Sequence, residues 1–515
     1  MEDALLQNPL IPVYAEDGTW GGPVGAGLQD RWNPLAVLYR NRNNEEKTWR
    51  TFGNIYADLE ILDGLKFSTK LNFDNNRFKF DEQSETFNQD GRMLGNLVYL
   101  SNGEEVARYA RNRNNSDTYI FTNLLSFNRD LGEHSLNAFV GHEVYRRNQN
   151  NSHYRLQVPY GTKVDFESFL DAEGNPKQGY TILEDNSILD AYGVGADSRR
   201  ESMFAKAGYD YQDKYYLSAS IRRDGSSRFG RNNRYAVFPT ASIGWTISNE
   251  NFMQSSEIIN NLKIRASWGA NGNADILEYA QYSIYQQAIE NSNYDLNGGG
   301  SGEIDLGVSP NQVGNPDLKW EQSYQTNLGL DASLFDNRIN LVLDLYKKKT
   351  SDLLLQITQP SVLGEAGRTL FFNAGDMTNK GIDMVLGYKS SPRNKFTYGV
   401  DLTFSAYRNK VTRLINSDNF ILDGVSYTGV GHPIGSYYGY VADGVFRTPE
   451  EVAVHAAQPG KALGNIRYRD LNGDGVINQD DRTIIGNPHP DFIYGINLSA
   501  NYKKWDFSYF IQMFG

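Results

Sequence analysis

The chain has 515 residues, and its 62 Asp and Glu residues outnumber its 50 Lys and Arg residues, which gives a formal net charge of −12. It contains no cysteine, which excludes disulfide bonds, thiol nucleophiles and cysteine zinc sites. An acidic chain without runs of Lys or Arg is a poor candidate for nucleic-acid binding. No apolar stretch approaches about 18 residues, so no transmembrane helix is expected. The start, MEDALLQNPL, lacks a basic segment followed by an apolar core, so no signal peptide is expected there.

The composition and residue spacing indicate an all-β chain. Tyr (33) and Phe (26) are abundant, and Asn, Asp, Gly and Ser are dense between apolar stretches, as turns between strands require. Apolar and polar residues alternate strictly in several segments, which predicts strands with one apolar and one polar face. In chain order, the apolar members of four such segments are Met203, Ala205, Ala207, Tyr209 and Tyr211; Ile339, Leu341, Leu343 and Leu345; Tyr398, Val400, Leu402 and Phe404; and Tyr494, Ile496, Leu498, Ala500 and Tyr502.

These strands are predicted to pair as seven hairpins with tight polar turns such as Asp63-Gly64. The hairpins cover residues 53–74, 117–146, 201–223, 235–270, 321–348, 380–407 and 492–515. Long polar insertions separate some of them, at 147–200, 271–320, 349–379 and 408–491. The strands are expected to be about 9–13 residues long, as tilted membrane strands are. Short turns on one rim and long loops on the other are typical of an outer-membrane β-barrel with long extracellular loops.

Aromatic residues cluster near the predicted strand ends. Tyr215 and Tyr216 follow one turn, Tyr502 and Trp505 flank another, and Tyr346 precedes a loop. Rings at these places are typical of the interfacial girdle of a membrane barrel. Ordinary cross-strand packing is the alternative interpretation. Inward-facing polar residues, including Arg265, Asn327, Asp331 and Asp401, are expected to line the lumen, whereas no individual residue is predicted to bind cargo.

One segment carries the spacing of a calcium-binding loop. Asp470, Asn472 and Asp474 occupy its first, third and fifth positions, and a glycine permits a sharp turn at the sixth. The remaining ligands are then the Val476 carbonyl, a water held by Asn478, and Asp481. Ca²⁺ requires six to eight oxygens, so this pattern predicts a structural Ca²⁺ site that stiffens the 408–491 loop. A turn-rich loop without metal is the alternative, because Asn, Asp and Gly are common turn residues.

Several segments resemble the SusC/RagA branch of TonB-dependent outer-membrane transporters. They begin with LLQNPLIPVYAEDGTWGG (5–22) and continue with NLKIRASWGANGN (261–273). The longest covers 315–354, and NAGDMTNKGIDMVLGY (373–388), PIGSYYGYVADGVF (433–446) and DLNGDGVINQDDRTIIGNPHPDFIYGI (470–496) follow. The segments span nearly the whole chain in the order expected for the family. The resemblance implies a barrel of about 22 strands closed by an N-terminal plug.

The resemblance also implies partners and cargo. Such transporters are coupled through a TonB box to an energised inner-membrane complex. A SusD-like lipoprotein covers the extracellular face, and the pair imports oligosaccharides or oligopeptides across the outer membrane of a Gram-negative cell. No catalytic cofactor and no enzymatic activity are implied, and no catalytic constellation is found in the sequence.

The sequence departs from the family pattern at its ends. No segment before residue 50 resembles a plug or a TonB box, and the last residues lie in a predicted strand. Residues 1–515 are therefore interpreted as a partial barrel whose seven hairpins supply 14 strands. Unpaired strand edges are costly in lipid, so this polypeptide alone is expected neither to insert stably nor to transport. A heat-modifiable, protease-resistant membrane species would contradict that hypothesis.

Two other functions remain open at this point. One is a siderophore or vitamin receptor of the wider TonB-dependent class. The other is a water-soluble, secreted β-rich module for adhesion or carbohydrate binding, because the strands of soluble β-sandwiches also alternate. The need for detergent to keep the protein in solution distinguishes the soluble module from the SusC/RagA-like importer and from the siderophore or vitamin receptor.

Overall fold

A computed structural model describes residues 13, 14, 18, 34–84, 106–159, 194–286, 309–358, 369–391, 395–415 and 420–515. Its main element is a single antiparallel sheet of 14 strands. In chain order they are β1 (Glu45–Leu62), β2 (Leu65–Ser84), β3 (Val106–Leu131), β4 (His134–Pro159), β5 (Val194–Tyr211), β6 (Tyr215–Ser226), β7 (Tyr235–Thr246), β8 (Ile259–Asn273), β11 (Glu321–Leu334), β12 (Ile339–Ser351), β15 (Gly375–Lys389), β16 (Phe396–Leu414), β23 (Ile493–Tyr502) and β24 (Trp505–Phe514).

The strands of the sheet follow one another in chain order, so each pairs with its neighbours along the sequence. All seven predicted hairpins are present. Most of their turns are short, although residues 247–258 form a longer one between β7 and β8, whereas most connections between hairpins are long, as the predicted barrel layout requires. β1 and β24 stand at the two ends of the order, and the described sheet is open. The predicted all-β antiparallel barrel fold is thus confirmed. The described strands form an open sheet in which β1 and β24 do not pair with each other.

The predicted strand length of about 9–13 residues is too short for most strands of the sheet. The strands have 10 to 26 residues, and β3 and β4 are the longest. Residues 147–159, which were predicted to belong to an insertion, continue β4, and residues 408–414 continue β16. The β4 extension begins with a stretch, Asn148 to Ser152, that is polar on both faces. Strict alternation of apolar and polar residues therefore covers only part of such a strand. The strand continues beyond the point where the alternation stops.

Residues with positive φ form several short turns. Gly64 (φ 77°) and Gly132 (φ 65°) lie in the first two hairpin turns. Asp336 and Asn337 (φ 58° and 61°) lie in the turn between β11 and β12. Asn, Asp and especially Gly tolerate this backbone region, so the sequence favours tight turns at this rim of the sheet.

The long connection between β16 and β23 is itself folded. It contains a four-stranded sheet of β17 (Phe420–Asp423), β18 (Ser426–Gly429), β19 (Ser436–Tyr440) and β22 (Arg482–Gly486), and a pair formed by β20 (Ala442–Val445) and β21 (Ile466–Tyr468). A short helix, α2 (Pro449–Val454), and a 3₁₀ turn (Gln479–Asp481) complete it. Phe446, which is 1% exposed, is among its buried residues. The predicted loop is therefore a small subdomain.

The remaining elements are short. Two strand pairs lie in other connections: β9 (Ile284–Gln286) with β10 (Ser309–Gln312), and β13 (Leu354–Thr358) with β14 (Thr369–Asn373). A helix, α1 (Pro34–Arg40), precedes the sheet, and a 3₁₀ turn (Ile247–Asn249) follows β7. Within the described ranges, no helix has the length and apolar character needed to span a membrane.

Candidate functional site

One face of the main sheet is apolar and exposed to its surroundings. Leu217 on β6 and Ile243 on β7 are direct cross-strand partners, and they are 55% and 59% exposed. The row continues across neighbouring strands through Ala266, Leu328, Leu345, Ile382 and Ala406. A contiguous apolar surface of this extent is unfavourable in water, and it is the feature by which a barrel wall contacts lipid.

The opposite face of the same strands is polar. Ser218 and Ser242, each one residue from the apolar row, are hydrogen-bonded at 2.7 Å, and Ser220 bonds to Thr240 at 2.6 Å. The apolar side chains of the sheet therefore do not meet each other in a dry interior, as they would in a sandwich. This arrangement favours a membrane wall over a soluble module.

The predicted lumen residue Arg265 lies at the centre of an ionic network on the polar face. Its Nε donates to Asp331 at 2.9 Å, and its Nη1 donates to Asp344 at 2.7 Å. Asn327 also donates to Asp344, at 2.7 Å. Gly329 leaves the space in which the guanidinium lies, because a Cβ there would come within 2.4 Å of Arg265 Cζ. Sequence reasoning found Arg265, Asn327 and Asp331 but missed Asp344.

Aromatic rings line the short-turn rim on the apolar face. Tyr211, Tyr215 and Trp245 stack in sequence, with centroids 6.4 and 6.5 Å apart. Tyr215 Oη and Trp245 Nε1 both donate to Glu250, at 2.5 and 3.0 Å, so their polar ends point away from the apolar row. This geometry is that of an interfacial girdle.

The structure places some of the predicted girdle residues on the apolar face and others on the polar face. Tyr502 and Trp505 are cross-strand partners on the apolar face and are exposed. Tyr216, however, lies on the polar face beneath the Lys263 ammonium, 3.6 Å from its ring centroid. Tyr346 also lies on the polar face, where its ring covers Gly381. Both differ from the girdle residues because period two places them on the opposite face.

A compact apolar core anchors the 274–320 connection to the long-loop end of the wall. Trp320 packs against Phe229 and Phe238, with ring centroids 5.2 and 5.6 Å apart. Its indole Nε1 donates to the Arg234 carbonyl at 3.0 Å. Leu318 is completely buried in the same cluster. Sequence reasoning missed this core because its members are far apart in the chain and do not follow the alternation.

Beside this core lies a cavity of about 540 Å³. Tyr279, Gln281 and Tyr282 line it, together with Arg199 and Glu201 of β5. The tyrosine hydroxyl of Tyr279 accepts the Asp197 amide at 3.3 Å, which ties the connection to the wall.

The calcium-type segment forms a tight loop around its acidic side chains. Asp470 accepts the amides of Gly473 and Gly475, at 2.7 and 2.8 Å. Asn472 donates through its side-chain amide to Asp474 at 3.1 Å. Gly475 has a φ of 83°, so the sharp turn expected at the sixth position is present. Within the described ranges, no group of three or more His, Cys, Asp or Glu side chains converges as a metal site.

The last residue of the motif closes the loop. Asp481 is fully buried, and its two oxygens accept the amides of Leu471 and Asn478, both at 2.8 Å. Hydrogen bonds from the Asn478 amide and, to a smaller extent, from the Leu471 amide favour the charged carboxylate and lower the pKa of Asp481 below its ordinary value. Ile477 is 4% exposed, so its side chain anchors the loop in the subdomain. Val476 forms a parallel bridge with Ala457, which joins the loop to the subdomain.

Comparison with known proteins places this wall in a family. Residues 11–512 match the family described as TonB dependent receptor-like, beta-barrel. This chain belongs to the TonB-dependent receptor family. The receptor is 32% identical to TonB-dependent receptor P3 of Formosa agariphila, over 98% of this chain and 48% of that protein. It is 26% identical to TonB-dependent receptor SusC of Bacteroides thetaiotaomicron, over 99% of this chain and 49% of that protein.

A solved structure supports the same fold. The RagAB peptide transporter matches with a TM-score of 0.73 and 22% identity, over 92% of this receptor and 48% of that chain. The sequence-based recognition of a SusC/RagA-like barrel is confirmed. The receptor chain spans about half the length of the curated relatives it matches.

Proposed function

We propose that this receptor forms the lipid-embedded wall of an outer-membrane importer of the SusC and RagA type. The observation that carries the proposal is the apolar row from Leu217 to Ala406 on one face, opposite the polar network around Arg265. A wall with these two faces separates lipid from a hydrated lumen. The chain acts as a conduit in this proposal and performs no catalysis.

The proposed partners and cargo follow from the relatives. The family name implies coupling to a TonB complex, and one relative carries the name SusC. We infer a SusD-like lipoprotein as the extracellular partner and oligosaccharides or oligopeptides as cargo. RagAB, which shares the fold, is named a peptide transporter. The cavity lined by Tyr279 and Tyr282 lies at the long-loop end, but its strand residues Glu201, Gly225 and Tyr235 share the face of the apolar row, so the proposed cargo path follows the polar face instead.

The membrane orientation of the wall is testable with single cysteines, because the chain has none of its own. In outer-membrane vesicles, a spin label at Leu217→Cys is expected to collide with oxygen dissolved in lipid. A label at the adjacent Ser218→Cys is expected to collide with a water-soluble nickel chelate. Equal nickel accessibility at both positions would contradict the wall and favour the soluble module.

The import function is tested by deleting the gene for the receptor. The deletion strain is expected to lose growth on the oligosaccharide or oligopeptide cargo and to regain it when the receptor is supplied. Growth under iron limitation is the control, because a siderophore receptor predicts a defect there instead. An unchanged ability to grow on every oligosaccharide and oligopeptide tried, together with an iron-dependent defect, would overturn the cargo class.

We also propose that residues 470–481 bind a structural Ca²⁺ through Asp470, Asn472, Asp474, the Val476 carbonyl, Asn478 and Asp481. The sequence order of these oxygens and the turn at Gly475 support this assignment. Millimolar Ca²⁺ is expected to slow amide exchange in the loop, and Asp474→Ala is expected to abolish the effect. Asp480→Ala is the control, since position 480 supplies none of the proposed ligands. Exchange that is insensitive to Ca²⁺ would favour the metal-free turn.

A further inference from the structure

Five cationic side chains cluster on the apolar face, just beyond the apolar row. The cationic patch consists of Lys347 and Lys349 on β12, Lys380 on β15, and Arg408 and Lys410 on β16. Lys347, Lys380 and Arg408 are direct cross-strand partners, two residues further along than Leu345, Ile382 and Ala406. Lys349 and Lys410 lie in the next row, on either side of Thr378. All five are exposed.

Most of the positive charge of the patch has no ion-pair partner in the described part of the chain. Lys349 interacts electrostatically with Asp376, but that carboxylate is already paired with Arg413 at 3.0 Å. Arg408 forms an ion pair with Asp491 at 2.8 Å, and both side chains of the pair are more than 60% exposed. Among the residues that the structure describes, no carboxylate forms an ion pair with any of the four lysines. Like charges placed directly opposite one another destabilise a sheet. The arrangement is therefore unfavourable without an external anion, although the chain as a whole carries −12.

Several other cations on the same face of the sheet are neutralised within the chain. Arg77 pairs with Asp117 at 2.7 Å, and Arg111 pairs with Asp81 at 2.7 Å. Arg199 pairs with Asp197 at 2.6 Å. The difference sets β12, β15 and β16 apart from β2 to β5 and indicates that the patch neutralises its charge on something outside the chain.

The neighbouring aromatic residues indicate the depth of the patch. Trp268 and Thr326 continue the row of Lys347, and Tyr324 continues the row of Lys349. The rings of Trp268 and Tyr324 stack with centroids 6.4 Å apart and are exposed. Such rings lie at the level of lipid headgroups. Both rows lie toward the long-loop end of the strands, which faces the outside in membrane barrels.

We propose that the cationic patch binds the phosphate groups of a phosphorylated glycolipid in the outer leaflet. The inference rests on the proposed membrane orientation of the wall. The patch measures about 10 Å across three strands and about 7 Å along them, which suits a headgroup with two phosphates. Because it borders the apolar row directly, a ligand that covers the patch also places its acyl chains on Leu345 and Ile382. This continuity favours a lipid over an acidic protein.

The test compares two variants of equal charge. Lys347, Lys349, Lys380 and Lys410 are changed to Gln in the first. Lys348, Lys389, Lys503 and Lys504 are changed to Gln in the control, since Lys348 lies on the opposite face of β12 and the others lie at the short-turn rim. Native mass spectrometry of the receptor in neutral detergent measures binding of bisphosphorylated lipid A, dephosphorylated lipid A, inorganic phosphate and a poly-glutamate peptide.

The parent receptor and the control variant are expected to bind bisphosphorylated lipid A, and the patch variant at least about tenfold more weakly. Dephosphorylated lipid A and inorganic phosphate are expected to bind weakly to all three. Equal binding by the patch and control variants, or preferential binding of the peptide or of free phosphate, would overturn the proposal. Flotation of the patch variant with neutral phosphatidylcholine vesicles reports membrane association separately, so loss of flotation signals failure of the wall itself.

Discussion

Arg265 is held on the polar face by two carboxylates from two neighbouring strands and by the absence of a side chain at Gly329. The guanidinium occupies the space that a Cβ at position 329 would need. From β8 it reaches Asp331 on the adjacent strand, β11, and Asp344 on the strand after that, β12. The glycine therefore allows one cation to satisfy two carboxylates on a surface that would otherwise carry uncompensated negative charge.

Gly329→Ala is expected to push the guanidinium away and lower the free energy of unfolding. Because the network is partly solvated, the loss is expected to be about 1 kcal/mol. Urea unfolding of the receptor in lipid vesicles measures it. In an Arg265→Gln background, the same substitution is expected to cost much less, because the overlapping group is gone. Equal costs in both backgrounds would show that the glycine serves another purpose.

Asp481 gives a second prediction, about pH. A carboxylate whose pKa is lower in the folded state stabilises the fold above its unfolded pKa of about 3.9, and this stability is lost as the pH falls through the folded pKa. The Asn478 and Leu471 amides lower the pKa of Asp481, so the loop is expected to open in acid. Amide exchange at residues 470–482, measured across acidic pH, reports the opening.

Asp481→Asn removes this pH dependence and one of the two oxygens that accept backbone amides. The Asn side chain accepts through one oxygen only, so one of the two part-buried amides loses its partner, at a cost of about 1 kcal/mol. Exchange in the loop is expected to be fast already at neutral pH. Asp480→Asn is the control, since its side chain accepts no bond that closes the loop. If both variants exchange alike, the closure does not depend on Asp481.

At the scale of elements, alternation decided which predictions succeeded. The hairpins were predictable because each strand alternates apolar and polar residues over much of its length, which gives it one apolar and one polar face. Strand ends were not predictable, because residues such as Asn148 to Ser152 project where no apolar face is required. The subdomain between β16 and β23 was missed because its strands have three to five residues, too few to show a period.

The anchored connection gives a prediction at this scale. Trp320→Ala removes the ring that packs on Phe229 and Phe238, and substitutions of this kind in a core cost about 3–5 kcal/mol. The loss is expected to free the 274–320 connection while the sheet stays paired. Limited proteolysis is expected to show new cleavage within 274–320. Trp505→Ala is the matched control, because Trp505 is 79% exposed. Equal cleavage in both variants would contradict the anchoring role.

At the scale of the whole molecule, the direction of the apolar face distinguishes a membrane wall from a soluble sheet. Composition alone does not make this distinction, because alternation averages apolar and polar residues. The register of the paired strands makes this distinction, because it joins apolar residues from seven successive strands into one row on the same face. The calcium-type motif was legible in the sequence for a different reason, since all its residues are contiguous.

Ile243→Arg tests the direction of this face. On the lipid side, a charge costs about 2–4 kcal/mol at the middle of the bilayer and less toward the interface, so a cost of at least about 1 kcal/mol is expected at Ile243, two residues from the girdle ring of Trp245. The adjacent Ser242→Arg introduces the same charge on the polar face, where water solvates it. Urea titration of the receptor in phosphatidylcholine vesicles is expected to show a lower unfolding free energy for Ile243→Arg than for Ser242→Arg. The reverse order would mean that the apolar row is not the surface that contacts lipid, because the charge would then be tolerated where the wall is proposed to be embedded.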